Sequence, residues 1–358
     1  MNRPSLVPAL AAVFALAASI AHADRPQRAH EVRFVVFGDA GSGLPRQYAV
    51  AQAMADVCAL RGCDFALDLG DNIYDSGVSG VDDPQFQSKF ERPYARLKLP
   101  IYLVLGNHDN GHWGDSGDNK RGDFEVAYAQ ESDKWHMPAR YYRFKPPATT
   151  ADGAPLAQFF ALDSSPLAPL HLDRDPAWEP VAYAKKQLAW FQRALEASKA
   201  HWKIAFAHHT FVSNGINGNA GTYTIPAKGH SPFANGWLLR KFFEQSLCRY
   251  DVDLYLQGHD HDLEWLKPQL TCGKTQFITS GAGGGGPAPL VPRDNPVYWQ
   301  AGQVLGFFWI RLTEGEMSAS SYVLKPDFTL SEDENGNPQP TFQQTVAHQD
   351  QATPASRK

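Results

Sequence analysis

VRFVVFGDAGSG, residues 32–43, sets a run of strand-forming residues against a turn that holds Gly38, Asp39, Gly41 and Gly43. A glycine-rich turn after a strand has two chemical uses. Its backbone amides can cradle a phosphate where a helix opens. Alternatively the glycines only let the chain turn tightly, and Asp39 is the functional group. The choice depends on what the rest of the chain places beside this turn.

Downstream, strand-like and helix-like stretches alternate. VRFVVF is followed by the amphipathic QYAVAQAMADVCALRG, and DFALDLGD by QFQSKFERPYARL, read as a helix, before IYLVLGNHD. Residues 111–122 read as a loop. RYYRFKP and QFFALDSS then read as strands, AKKQLAWFQRALEASK as a helix, WKIAFAHH as a strand and LLRKFFEQSLCRY as a helix. DVDLYLQGHDHDLEWL and TQFITSGAGGGG begin as strands, and VLGFFWIRLTEGEMSASSYVL reads as a strand pair around a Glu-Gly turn. This alternation predicts an α/β core with parallel strands. One domain over 24–330 is expected, followed by a polar tail over 331–358 that is disordered from about Gln344.

Composition narrows the class. Of 358 residues, 43% are hydrophobic and 20% charged, as in soluble globular proteins. A net charge of -5 gives no electrostatic case for nucleic acid or an anionic membrane as partner. The expected partner is a small molecule, the expected state a monomer. Residues 1–23 carry Arg3, an Ala-rich apolar run too short to span a bilayer comfortably, and the small-x-small pattern Ala21-His22-Ala23; they read as a secretory signal, so the mature protein is secreted or periplasmic. In an oxidising compartment the four cysteines form two disulfides, and proximity favours Cys58–Cys63 and Cys248–Cys272 among the three pairings.

Five predicted strands end in a burst of glycine and metal-competent side chains: FGDAG, LGDNIY, LGNHD, AHH and QGHDH. Sites assemble at the carboxyl ends of strands in α/β sheets. The residues are Asp39, Asp71, Tyr74, Asn107, His108, His208, His209, His259 and His261. Singly, an aspartate after a glycine is a turn former or cap, and a histidine near an apolar strand is a hydrogen-bonded core residue. Together they are too rich a set for one metal. Imidazole and carboxylate without thiolate suit Fe, Zn or Mn. Two ions about 3.5 Å apart can clamp both oxygens of an in-line phosphoryl displacement.

In order, Asp39-x-Gly41, Gly70-Asp71-x-x-Tyr74, Gly106-Asn107-His108-Asp109, the strand-end histidine of AFAHH and Gly258-His259-x-His261 resemble the five signature blocks of the calcineurin-like metallophosphoesterases. Tyr74 narrows the resemblance to the purple acid phosphatases, and GDNIYDSGV, VLGNHDNGHW, KWHMPARYYRF and YLQGHDHDLEWL are similar to the small tartrate-resistant type. The likeness runs from about Phe34 to Gly283. It implies a four-layer α/β/β/α sandwich of mixed sheets with the metal site at strand C-terminal ends. It further implies one ion held by Asp39, Tyr74 and His261, a second held by Asn107, His208 and His259, and Asp71 bridging them. The first histidine of AHH matches the ligand position, leaving His209 as its neighbour. His108, and His230 in the loop before the next helix, are the implied substrate-facing residues. A phenolate favours Fe(III) in the first site, with Fe, Zn or Mn as the divalent partner, and a pink to purple protein. The implied reaction is acid hydrolysis of phosphate monoesters by attack of a metal-bound hydroxide, without a phosphoenzyme.

Other readings are weaker. GAGGGG at 281–286 satisfies the dinucleotide-loop pattern, but PAPLVPRDNP follows where a helix should open, so a site-rim loop is expected instead. A binding protein without turnover would not need the whole ligand set. A phosphodiesterase, or a nucleotide or phospholipid hydrolase, could use the same two-metal site. Asp109 and Asp260, next to ligands in sequence, are candidates for orienting the histidines, or are simply solvated.

Overall fold

The computed structural model describes residues 30–111, 117–225 and 230–349. The leader read at 1–23 lies outside them. The quoted stretch opens as β1 (Val32–Phe37), buried along its length except for Arg33, which is half-buried. It pairs parallel with β2 (Phe65–Asp68) and antiparallel with β12 (Gly306–Leu312). Phe34, Val35, Val36 and Phe37, which alternate between its two faces, are all fully buried, so both faces are covered and the sequence is nearly continuously apolar. β3 (Ile101–Leu103) and β4 (Trp135–His136) extend the parallel side, and β13 (Glu316–Val323) and β14 (Phe342–Ala347) the antiparallel side.

The second sheet has the order β11 (Val297–Ala301), β9 (Leu263–Leu266), β10 (Gln276–Ser280), β8 (Leu254–Gln257), β7 (Trp202–Phe206), β6 (Ala157–Ala161), β5 (Tyr142–Phe144). Its four inner strands run parallel, and β5, β9 and β11 are antiparallel to their neighbours. Alternation along these strands builds the layers. Phe159, Ile204, Phe206, Leu254, Leu256 and Ile278 pack with the first sheet, while Phe160, Ala205, Tyr255 and Phe277 pack with the helices on the other side.

Those helices are α3 (Pro180–Glu196) and α4 (Trp237–Gln245), which pack on each other. Pro180 opens α3, and the Glu179 carboxylate accepts the Val181 and Ala182 amides as its cap. On the first sheet, α1 (Pro45–Arg61) also starts at a proline, buries Val50, Met54 and Val57 at helical spacing, and stops at Gly62, whose φ is 81°. Helix, sheet, sheet and helix stack in four layers, as the motifs implied.

Several expectations need correction. QFQSKFERPYARL is helical only over 85–91, as a wide turn from Gln87 to Glu91, because Pro93 cannot supply an amide to continue the helix. The loop expected over 111–122 gives way at Lys120 to α2 (Lys120–Tyr128). The tail is ordered through Gln349: β14 pairs with β13 from Phe342 to Ala347. Polar composition hid a strand whose alternate residues Phe342 and Val346 pack on the core, with Phe342 stacked on Trp299 at 5.4 Å. Both disulfides form as read, Cys58–Cys63 and Cys248–Cys272. Among the described residues no helix is long and apolar enough to cross a membrane.

Candidate metal centre

Parallel pairing of β1, β2 and β3 in one sheet, and of β7 and β8 in the other, brings the five bursts to one edge of the sandwich. Asp39, Asp71 and His259 all sit in the left-handed backbone region, with φ of 54°, 54° and 67°. Such a conformation costs a non-glycine residue roughly 1–2 kcal/mol. Hydrogen bonds between the turns hold it: Asp39 N–H donates to Gly70 O, Gly41 N–H to Asp71 O, and Tyr74 N–H to Gly41 O. A Cβ on Gly41 would lie 2.0 Å from the Asn72 carbonyl oxygen, so this glycine serves close approach of two turns.

The donor atoms fall into two triplets. In the first, the Tyr74 hydroxyl is 3.3 Å from Asp39 Oδ1 and 3.1 Å from His261 Nε2, and those two atoms are 3.4 Å apart. In the second, His208 Nε2 is 2.8 Å from Asn107 Oδ1 and 3.1 Å from His259 Nδ1. Asp71 lies between, with Oδ1 3.5 Å from His208 Nε2, and one ligand atom each of Asp39, Asp71 and His208 lies within 4.8 Å of the others. Metal–ligand bonds of about 2.0–2.2 Å put neighbouring ligand atoms about 3 Å apart, the spacing within each triplet. The residues fit two ions.

Electrostatics agree. Burial works to raise the Asp71 carboxyl, but His208 and His108 hold it down at about 2. His261, which burial pushes down, is lifted to about 9 by the Asp39 carboxylate and the Gly286 carbonyl. Tyr74 is raised well above its ordinary value by burial and then by Asp71 and Asp39. No lysine or arginine lines the cavity beside these groups among the described residues. Cations are therefore what would let the phenol ionise and would displace the proton from His261.

Backbone carbonyls, not carboxylates, orient the rings. His208 Nδ1 donates to Leu69 O at 2.9 Å, and His261 Nδ1 to Gly286 O at 2.6 Å, leaving each Nε2 for the cluster. Asp109 accepts the amides of Gly106, Asn72 and Ile73, and so ties two turns together. Asp260 likewise accepts the amides of Asn217 and Gly218 and the Ser213 hydroxyl. The glycine run passes beside the site: a Cβ on Gly285 would lie 2.6 Å from Asp39 O and 2.7 Å from the Tyr74 ring.

A cavity of about 260 Å³ opens over the cluster, with Asp71, Asn107, His108, His259 and His261 on its floor. His108 donates from Nδ1 to Asp75 O at 2.8 Å, and its Nε2 is 4.0 Å from Asp71 Oδ2. His209 also reaches the cavity, its Nδ1 on Ser164 Oγ at 2.9 Å, and burial first, then His259 and His208, lower its pKa well below the usual value. His230 is not brought to the cluster. Its ring stands 5.7 Å from that of His171, and it is not one of the residues that line the cavity.

The sequence did not mark the groups that hold the Tyr74 turn. Four successive carbonyls accept from four different side chains: Tyr74 O from Lys89 Nζ, Asp75 O from His108, Ser76 O from Arg121 at 2.9 Å, and Gly77 O from Gln85 at 3.1 Å. A lysine, an arginine and a glutamine at such separations carry no readable spacing.

Residues 32–263 match the calcineurin-like phosphoesterase family. Purple acid phosphatase 4 of Arabidopsis thaliana is 31% identical over 333 residues, covering 89% of this chain and 86% of its own. Tartrate-resistant acid phosphatase type 5 of Rattus norvegicus is 31% identical over 281 residues, covering 74% of this chain and 75% of its own. A purple acid phosphatase structure from yellow lupin (Lupinus luteus) seeds superposes with a TM-score of 0.57 at 16% identity over 89% of this chain and 54% of that one, a likeness of fold. With the motif order, the four-layer fold and these relatives in agreement, the chain belongs to the calcineurin-like phosphoesterases of purple acid phosphatase type and is a phosphatase.

Proposed function

We propose that this protein is an exported acid phosphatase that hydrolyses phosphate monoesters at two metal ions, by direct displacement without a phosphoenzyme. Asp39, Tyr74 and His261 hold Fe(III). Asn107, His208 and His259 would hold a divalent Fe, Zn or Mn ion, and Asp71 would be shared between the two. The observation that carries the reading is the division of six donor atoms into two triplets with Asp71 between them. When bound, such a pair acidifies water to give a nucleophile and neutralises the phosphoryl oxygens.

The chain's own groups do the rest. His108, its Nδ1 committed to Asp75 O, presents Nε2 to the cavity, where it can hydrogen-bond a phosphoryl oxygen or protonate the departing alkoxide. Among the described residues neither hydroxyl of the lining is hydrogen-bonded to an imidazole or carboxylate that could activate it: that of Tyr223 donates to Thr210 O, and that of Thr224 accepts from Arg293. This supports direct displacement, hence inversion at phosphorus. His230, seated against His171, has no part in the proposed constellation. Metal analysis and a visible spectrum of the pure protein, with monoester and diester rates from pH 4 to 9, test the reading. Iron, a visible band and faster monoester turnover at acidic pH are expected; a colourless, iron-free enzyme or a dominant diesterase overturns it.

A further inference from the structure

We infer that the cavity over the metal centre is a leaving-group pocket for an uncharged, apolar alcohol, so that phosphomonoesters of alkyl or aryl alcohols are preferred over phosphorylated polyols and nucleoside polyphosphates. This deepens the phosphatase reading and rests on it. The floor is ionic, but the wall is made by Ala168, Leu170, Ile216, Tyr223, Ile225 and Ala234. A phosphomonoester placed with its phosphoryl group on the floor has its alcohol against that wall.

Several polar groups of the wall are already engaged. Tyr223 spends its hydroxyl on Thr210 O and turns the ring toward His259, with centroids 6.1 Å apart. Asn217 gives its side-chain N–H to His259 O and its backbone N–H to Asp260. Arg293 lays its guanidinium on this rim, donating to Gly215 O, Ile216 O and Thr224 Oγ1. It fastens the 215–216 and 224 segments together, which preforms the wall and holds its donors on the rim's own acceptors. Among the described lining residues the wall thus leaves few side-chain groups beside the alcohol to hydrate a polyol, and none of the lining residues is a lysine or arginine that could pair a polyphosphate.

Two features point outward to a ligand. Ile216 and Ile225, on either side of this fastened rim, are 41% and 43% exposed, so large apolar side chains remain in water at the mouth of an ionic site. The cavity of about 260 Å³ also exceeds the roughly 150 Å³ that accepts a benzene ring. Room is left for the phosphoryl group beneath.

Each methylene taken from water is worth about a fourfold factor, so three partly seated methylenes give on the order of tenfold. The test compares n-hexyl phosphate with glycerol 3-phosphate, both primary alkyl esters, and with ATP, on the full-length metal-loaded enzyme. A kcat/KM ratio of about ten or more for hexyl over glycerol phosphate is expected, falling toward one in Ile216→Asp/Ile225→Asp and partway in Ile216→Ala/Ile225→Ala. A smaller ratio in the parent enzyme, ATP as the better substrate, or a ratio that the variants leave unchanged overturns the inference. Calorimetric binding of hexylphosphonate against methylphosphonate reads the pocket without turnover. Tighter hexylphosphonate binding by an enzyme that turns over no monoester would sink the phosphatase reading and leave the pocket standing; equal binding by an active enzyme would do the reverse.

Discussion

The hydroxyl of Tyr74 stands 3.1 Å from Nε2 of His261, a residue 187 positions further along the chain. That contact joins the first sheet's second turn to the second sheet's glycine-histidine turn. Tyr74→Phe keeps the ring and removes the oxygen. The variant is expected to fold, to lose the visible ferric-phenolate band, and to hold its first metal at least about tenfold more weakly, since one of three terminal donors is gone. Absorption spectra and metal content after dialysis check this.

Asp71 is the carboxylate between the triplets. Asp71→Asn keeps its size but removes the charge that both ions share. Loss of both metals and a drop in kcat/KM of at least about a thousandfold are expected, because the amide offers one neutral oxygen in place of the anionic pair that would bridge two ions. Retention of metal and activity would show that the bridge is elsewhere.

Lys89 holds the Tyr74 carbonyl and the side chain of Gln85. Lys89→Met keeps the stem and removes the donor. Because the ammonium is only half-buried, a loss of about 1–2 kcal/mol is expected, below the range for well-buried charged hydrogen bonds. The phenol should also shift relative to Asp39. The first effect is read by chemical denaturation, the second by a displaced visible band in a protein that keeps its iron.

Glu264 is buried beside Asp262. Burial above all, with Asp260 near, raises its carboxyl from 4.5 to about 7 despite the Ser213 hydroxyl and the Asn214 amide. The folded protein thus holds this proton more tightly than the unfolded chain does. Its contribution is full below the unfolded value near 4.5 and is lost as pH rises through about 7. The loss is on the order of 3 kcal/mol at most. Glu264→Gln mimics the protonated form, so its melting temperature should fall less than the parent's between pH 5 and pH 8. Equal slopes would assign the pH dependence to other groups.

Legibility in the sequence followed chemistry. Asp39, Asp71, Tyr74, Asn107, His208, His259 and His261 could be read because only certain side chains can bind such ions, and they fall where strands end. Leu69, Asp75 and Gly286, which orient His208, His108 and His261, could not, since they act through carbonyls that every residue has. For His230, in a long loop, no strand end was there to fix its place. β14 was missed because Gln343, Gln344 and Thr345 mask the period-two pattern of Phe342 and Val346.

β1 has a further consequence for the order of synthesis. Asp39 follows a strand whose antiparallel neighbour spans Gly306–Leu312. A nascent chain can therefore contain all seven candidate ligands, through His261, and still lack the strand that closes one side of β1. The first of these donors to be made follows a strand that is closed by one of the last strands to emerge, so the edge that gathers the cluster is complete only in a nearly finished polypeptide.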